Sequence, residues 1–515
     1  MQRRRFLQWG LVGASAAIAP RCARSPWLGQ LSTSNAGNAM DATPKVYQSQ
    51  GGLLEATLQA RPQTVQLGDR PASLLTYNGQ MPGPRLEARP GDTVRLQFDN
   101  RLDQPTNLHY HGLHIPPTGT ADNVFLEIPP GERYQYEFQI PADHPAGTFW
   151  YHPHLHGLVA EQLFGGLAGL FVVRGQLDEI PEIQAAQEAF MVLKDFALTA
   201  NGAIPEPGHM AQMTGRVGDL LTVNGQFNPS VAIAPGGLLR LRLLNASSSR
   251  FFALSLANHP LHLIATDGGA IAAPVELDEL VLAPGERAEV LVRGDQTPGS
   301  YRLLNRAFNP AQGMMGGLGR GPGMMGGMGR GPGMMGAPET PRNADQLGRR
   351  EAGLEAIATV VYEGDRQDTP LPNQLIAVEP LPEPQQVRQF TLNHGMGGGM
   401  GMGMGGGMVF LINGQPFAHD RIDTQVALNA VEEWEIINTG MMAHPFHVHT
   451  NKFQIMARNG EPAPYRAWKD IVNVAPGETA RIRIAFRDYP GKTVYHCHIL
   501  DHEDRGMMGT LQIQA

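Results

Sequence analysis

The sequence predicts an all-β chain of three tandem sandwich- or barrel-like domains. The first observation is a threefold echo. Leu74-Leu75-Thr76-Tyr77-Asn78-Gly79-Gln80 recurs as Leu220-Leu221-Thr222-Val223-Asn224-Gly225-Gln226 and as Val409-Phe410-Leu411-Ile412-Asn413-Gly414-Gln415. Each copy reads as an apolar strand running into an Asn-Gly turn. Each is followed by an alternating strand, at 93–98, 238–243 and 431–436. The second observation is that Pro130-Gly131-Glu132, Pro284-Gly285-Glu286 and Pro476-Gly477-Glu478 each launch a further alternating strand, which turns at Gly147, Gly299 or Gly491 into a last one. Short strands with regular Gly and Pro turns are the pattern of sandwiches and barrels, and internal self-similarity marks repeated units. The domains expected are 45–177, 185–375 and 385–515, a count that 515 residues accommodate.

Ahead of them lie residues 1–44. Arg3-Arg4-Arg5-Phe6-Leu7 precedes an apolar run from Trp9 to Pro20, which is too short to span a bilayer. Basic residues before a short apolar run read as a signal peptide, and the consecutive arginines resemble a twin-arginine signal. A disordered basic tail is the alternative. The expectation is an exported protein, periplasmic or secreted. Cys22 after Arg21 is a poor lipoprotein site, so no stable membrane anchor is expected. The net charge of -8 leaves no footprint for nucleic acid, and a monomer is expected. Of two cysteines, Cys22 falls in the leader, which leaves Cys497 unpaired. An unpaired cysteine in an exported chain needs a reason, and metal ligation is one.

The first domain carries His109-Tyr110-His111-Gly112 and Trp150-Tyr151-His152-Pro153-His154. The third carries His444-Pro445-Phe446-His447-Val448-His449 and His496-Cys497-His498. On a strand, a His-x-His unit puts two imidazoles on one face. The last strands separate the domains. Five residues past Gly147 and Gly491 are His152 and His496, but five past Gly299 is Leu304. The middle domain is therefore expected to be a spacer that positions the outer two. His259-Pro260-Leu261-His262 imitates the third-domain motif but lacks the following His-x-His, and reads as a decoy.

The richest stretch is His496 to Met507. A thiolate (Cys497), imidazole (His502), a weak thioether (Met507) and one further imidazole from elsewhere make a blue-copper ligand set. The preceding Lys492-Thr493-Val494-Tyr495 reads as a strand, whose alternation would turn Cys497 to one side and His496 and His498 to the other. By itself the stretch also admits a buried cysteine among hydrogen-bonded histidines. Four His-x-His units split between the first and last thirds favour metal.

The four motifs, in this order, resemble those of the multicopper oxidases, and the likeness runs over nearly the whole chain after the leader. The resemblance implies three cupredoxin-like Greek-key β-barrels with a metal cluster between the first and third. It implies four coppers. His444, Cys497 and His502 would bind type 1 copper, with Met507 axial. His109 and His447 would bind type 2 copper. His111, His152, His154, His449, His496 and His498 would bind the type 3 pair. His114 and His156 flank the motifs and are expected to be structural or to support the ligands. His144, His209, His394 and His419 are expected to be solvated or loop histidines. The axial methionine implies a low-to-middle type 1 potential.

Four-electron reduction of O2 to water also needs protons, and carboxylates near the cluster would supply them. Glu503 follows a ligand in sequence, and Asp122 matches the acidic position of bacterial relatives; ordinary surface charge is the alternative for both. Two Gly/Met-rich segments, 313–336 and 394–408, are expected to be loops whose thioethers suit Cu(I). Gly440 stands where bacterial cuprous oxidases have an acid, which implies a weaker Cu(I) preference than theirs. The expected activity is a laccase-like oxidation of phenols, aromatic amines or metal ions such as Cu(I) with O2 as acceptor. A dedicated cuprous oxidase for copper tolerance and a non-catalytic Cu(I)-sequestering protein are the rivals.

Overall fold

The computed structural model describes residues 44–310, 350–351, 354–396 and 408–515. The leader up to residue 43, the insert at 313–336 and most of the loop at 394–408 lie outside the described residues. Among the described residues, no helix is long and apolar enough to cross a membrane.

The strands form three pairs of sheets. In the first pair, the five-stranded sheet runs Val46–Gln48, Gly83–Ala88, Gly169–Val173, Gly147–His152, His109–His111, and the four-stranded sheet runs Arg70–Tyr77, Leu53–Leu67, Thr93–Asn100, Arg133–Gln139. The second pair draws its strands from Gln187 to Tyr362 and the third from Gln386 to Gln514. Non-sequential neighbours, such as the parallel pairing of Leu53–Leu67 with Thr93–Asn100, give Greek-key connections. Each pair encloses one core. Tyr77, Phe98 and Tyr136 of one first-domain sheet meet Tyr110 and Tyr151 of the other, edge to face or tilted.

The repeated Asn-Gly dipeptides are turns with both residues left-handed: φ is 58° and 78° at Asn78-Gly79, 53° and 74° at Asn224-Gly225, and 53° and 74° at Asn413-Gly414. Asn and Gly tolerate that region where other residues do not. Each Asn side chain also stitches its turn to the preceding strand, accepting from Gln59, Val192 or Thr391 N–H. The alternating strands run two residues further than the pattern indicates, to Asn100, Asn245 and Asn438. Each of these buried amides donates to two carbonyls of neighbouring segments, for example Asn438 to Met442 and to Val474 at the end of the strand Ile471–Val474.

Candidate metal centres

Register places the histidines. His109–His111 pairs antiparallel with Gly147–His152, setting His109 opposite His152 and His111 opposite Trp150. His444–Val448 pairs with Gly491–Cys497, setting His447 opposite His496 and Phe446 opposite Cys497. Because facing residues on paired strands point to the same side, His447 and His496 project together while Phe446 and Cys497 turn the other way.

On one side, eight imidazoles converge, all buried: His109, His111, His152, His154, His447, His449, His496 and His498. His496 Nε2 lies 3.1 Å from His154 Nε2 and 3.0 Å from His449 Nε2. His111 Nδ1 lies 3.3 Å from His152 Nε2, and the His498 ring sits 5.1 Å from that of His111 and 5.7 Å from that of His152. The outward nitrogens are tied back. His109 Nδ1 faces both Asp122 oxygens at 2.8 and 3.0 Å, His152 Nδ1 donates to the Pro153 carbonyl, and His447 Nδ1 donates to the Asp470 carbonyl at 2.8 Å.

On the other side, Cys497 Sγ lies 3.5 Å from His444 Nδ1 and 3.8 Å from His502 Nδ1. Met507 is fully buried in the same core, and its carbonyl accepts from Cys497 N–H at 3.0 Å. His502 Nε2 donates to the Met213 carbonyl, and Phe410 stacks on the His502 ring at 3.8 Å.

The donor set fits bound metal. His109 Nε2, His447 Nε2, His449 Nδ1 and both nitrogens of His498 are buried without hydrogen-bond partners, whereas buried polar atoms are ordinarily satisfied. Burial holds the imidazoles neutral, outweighing nearby carboxylates, with His447 pushed down to about 3 and His154 and His496 to about 4. Neutral rings offer lone pairs, which is what metal ligation requires. Burial pushes the Cys497 thiol up, so a thiolate there needs a cation beside it.

Both predicted carboxylates lie at the cluster. Asp122 is buried, also accepts Tyr110 N–H at 2.8 Å, and is pushed by burial up to about 8. Glu503 Oε2 is 3.0 Å from His496 Nδ1 and Oε1 is 3.5 Å from His154 Nε2. His496 Nδ1–H is directed at the Cys497 carbonyl instead, which leaves both Glu503 oxygens unpaired. Burial pushes Glu503 up to about 7, partly offset by His154.

The remaining histidines divide. His144 is a loop histidine, one of the two expected alternatives, and it is buried: its Nε2 accepts from the His114 N–H and meets Lys452 Nζ at 3.3 Å. His394 lies near His444, because a Cβ added at Gly440 would sit 3.4 Å from His444 Nε2 and 3.8 Å from His394 Nδ1. His209 and His419 are exposed as expected. His259 is bonded to the Ala257 carbonyl and the Tyr362 hydroxyl, a structural arrangement. The middle domain, without ligands at its last strand, touches the wall of the cluster: its Arg287 reaches Asp470, which contacts His111 Nε2 at 3.2 Å. Sequence reasoning also missed Asp504, which accepts N–H groups from Gly157, Val159 and Ala160 and fastens the third domain to a first-domain helix, Val159–Phe164. No local pattern marks these residues, since their partners are hundreds of positions away.

Three stretches of the chain, 59–178, 192–317 and 381–515, match multicopper oxidase family profiles. A solved multicopper oxidase from Campylobacter jejuni, described as a metallo-oxidase, is 30% identical with a TM-score of 0.76, covering 93% of this chain and 96% of that one. A multicopper oxidase of Staphylococcus haemolyticus is 28% identical over 86% of this chain and 84% of its own length. The cell division protein FtsP of Xenorhabdus nematophila is 29% identical over 91% of each. With three cupredoxin-type domains in tandem, a thiolate pocket and an imidazole cluster, the chain belongs to the multicopper oxidase family, copper-dependent oxidoreductases that use O2 and a reducing substrate.

Proposed function

We propose that this chain is an exported, laccase-like multicopper oxidase. It couples one-electron oxidation of phenols, aromatic amines or metal ions such as Cu(I) to four-electron reduction of O2 to water. The observation that carries the reading is the thiolate pocket and the eight-imidazole cluster lying back to back across the His496–Cys497 peptide. In this reading the functional units are 45–177, 185–375 and 385–515. His444, Cys497 and His502 hold type 1 copper, with Met507 axial. His109 and His447 hold type 2 copper, and His111, His152, His154, His449, His496 and His498 hold the type 3 pair.

Bound copper supplies one-electron chemistry at the thiolate pocket and multi-electron reduction of O2 at the cluster. The chain's own groups supply the rest. Asp122 grips His109 Nδ1 and so aims Nε2 inward, as a carboxylate behind a ligating histidine does. Glu503, unpaired and pushed up to about 7, holds a proton beside His154 and His496 and can release it to reacting oxygen. The buried walls exclude bulk water, which strengthens every interaction inside them.

Substrate reaches the type 1 pocket from one side in this reading. His502 is covered by Met213 and Phe410. His444 lies beside Gly440, and the adjacent Met441 is 72% exposed. An acidic side chain at position 440 would stand against His444 Nε2, and glycine leaves that space without a charge. The absence of a carboxylate there favours uncharged organic reductants over a dedicated cuprous oxidase.

Oxygen uptake measured with a phenol and with Cu(I), each with and without added copper, tests the reading. A laccase-like oxidase consumes O2 with the phenol unaided. A dedicated cuprous oxidase consumes it with Cu(I) alone, and a sequestering protein with neither.

A further inference from the structure

We infer that Arg287 of the middle domain is a positioning residue of the imidazole cluster, acting through Asp470. The inference rests on the copper assignment above and extends it to a domain that holds none of the proposed ligands.

The guanidinium is fully buried and all five of its N–H donors have acceptors within reach. Nε donates to the Thr148 carbonyl of the first domain at 3.2 Å. Nη1 donates to the Gly285 carbonyl at 3.0 Å and Asp470 Oδ1 at 2.8 Å, and Nη2 donates to the Asp267 carbonyl at 2.9 Å and Asp470 Oδ2 at 2.5 Å. One side chain thus joins all three domains. The two parallel bonds to Asp470 are the fork geometry that fixes a carboxylate in orientation as well as place, which a lysine cannot reproduce.

Asp470 in turn faces two rings of the cluster from behind. Its Oδ1 is 3.2 Å from His111 Nε2 and 3.7 Å from His447 Nδ1, and its backbone carbonyl accepts the His447 Nδ1 proton at 2.8 Å. With Nε2 of His111 and Nδ1 of His447 engaged by Asp470, the nitrogens left to face the cluster are His111 Nδ1 and His447 Nε2. The first is 3.3 Å from His152 Nε2, and the second has no partner. Carboxylates behind ligating histidines fix tautomer and ring angle, and losing one typically costs 10- to 100-fold in metal affinity.

The rest of the middle-domain turn is shaped to the same end. Gly285, at φ 82°, lies so close to the cluster that a Cβ there would be 2.7 Å from His498 Nε2. Lys469, next to Asp470, is held by Asp267 at 2.8 Å and Glu286 at 2.7 Å. Three middle-domain side chains and one backbone approach therefore converge on the wall of the cluster. The Pro-Gly-Glu turn that repeats in every domain has here become a docking element.

The test compares wild type with Arg287→Lys and with the double variant Arg287→Met/Asp470→Asn, all loaded with copper and dialysed against a chelator. Copper per chain and the type 2 paramagnetic signal report the cluster. The blue absorbance of the Cys497 site is the internal control for folding. Arg287→Lys keeps the charge and loses the fork, and the double variant removes both charges, so neither leaves Asp470 as a lone buried anion. The expected result is cluster copper lost about 10- to 100-fold more readily in both variants, with the blue band retained. Cluster copper as tightly held in the double variant as in wild type would overturn the inference, because the pair would then serve charge balance alone. Parallel loss of the blue band and cluster copper would overturn it too, by making the pair a general folding element. A wild type that never holds cluster copper would instead refute the copper assignment.

Discussion

His496 and Cys497 are sequence neighbours that serve opposite pockets: His496 Nε2 lies 3.0 Å from His449 Nε2, and Cys497 Sγ lies 3.5 Å from His444 Nδ1. The pleat of the strand Gly491–Cys497 separates them, and its register against His444–Val448 fixes which side each takes. The backbone between them is a short covalent path from the thiolate to the imidazoles.

Asp122 lies against His109 and Glu503 beside His496 and His154, all three rings of the imidazole cluster. Asp122→Asn is expected to slow reoxidation by O2 about 10- to 100-fold through misaligned His109. Glu503→Gln is expected to slow it about 100-fold or more through loss of a proton donor. Stopped-flow reduction of the type 1 site under anaerobic conditions should be unchanged in both. A matching fall in that rate would show their roles to be structural.

Asp504 satisfies three N–H groups at the start of the helix Val159–Phe164. Helix-start donors lose about 1–2 kcal/mol when such an acceptor is removed. Asp504→Ala should lower the urea midpoint accordingly, as followed by circular dichroism. An unchanged midpoint would mean that water replaces the carboxylate without cost.

Lys194 is buried, with Nζ donating to the Leu163 and Ala246 carbonyls, and burial pulls it from the ordinary 10.5 down to about 7. Between those values the unfolded chain binds the proton and the folded chain does not. Stability contributed by this position therefore rises with pH, by up to about 1.4 kcal/mol per unit, from near 7 to near 10.5. Relative to Lys194→Met, wild type should gain in melting temperature from pH 7 to 9. Parallel pH curves for the two proteins would contradict this.

The strands Gln386–Met396 and Met408–Ile412 pair up to Met396 opposite Met408, so excising 397–407 leaves the ladder below intact. Removing this loop and 313–336 should depress Cu(I) oxidation and leave phenol oxidation equal or faster. Equal rate ratios for the two substrates before and after excision would make both segments linkers only.

Much of this was legible because it repeats locally. The Asn-Gly turns need two left-handed residues, and the His-x-His units follow strand alternation, so both leave fixed spacings in the sequence. Asn100, Asn245 and Asn438 also recur at one position but carry no signal until the carbonyls they bind are known. Arg287, Asp470 and Asp504 are legible only in three dimensions, because a buried charge is justified by partners that the sequence does not bring near. His144 and His394 read only as solvated or loop histidines for the same reason.

In the proposed function Cys497 would hold the copper that accepts electrons from substrate, with the imidazole cluster behind it. Cys497→Ser, loaded with copper, tests it most directly by visible absorption, copper content and O2 uptake with a phenol. The variant is expected to lose the intense blue band and phenol oxidation while retaining cluster copper. A Cys497→Ser protein that stays blue, or that still oxidises the phenol at the wild-type rate, would contradict it.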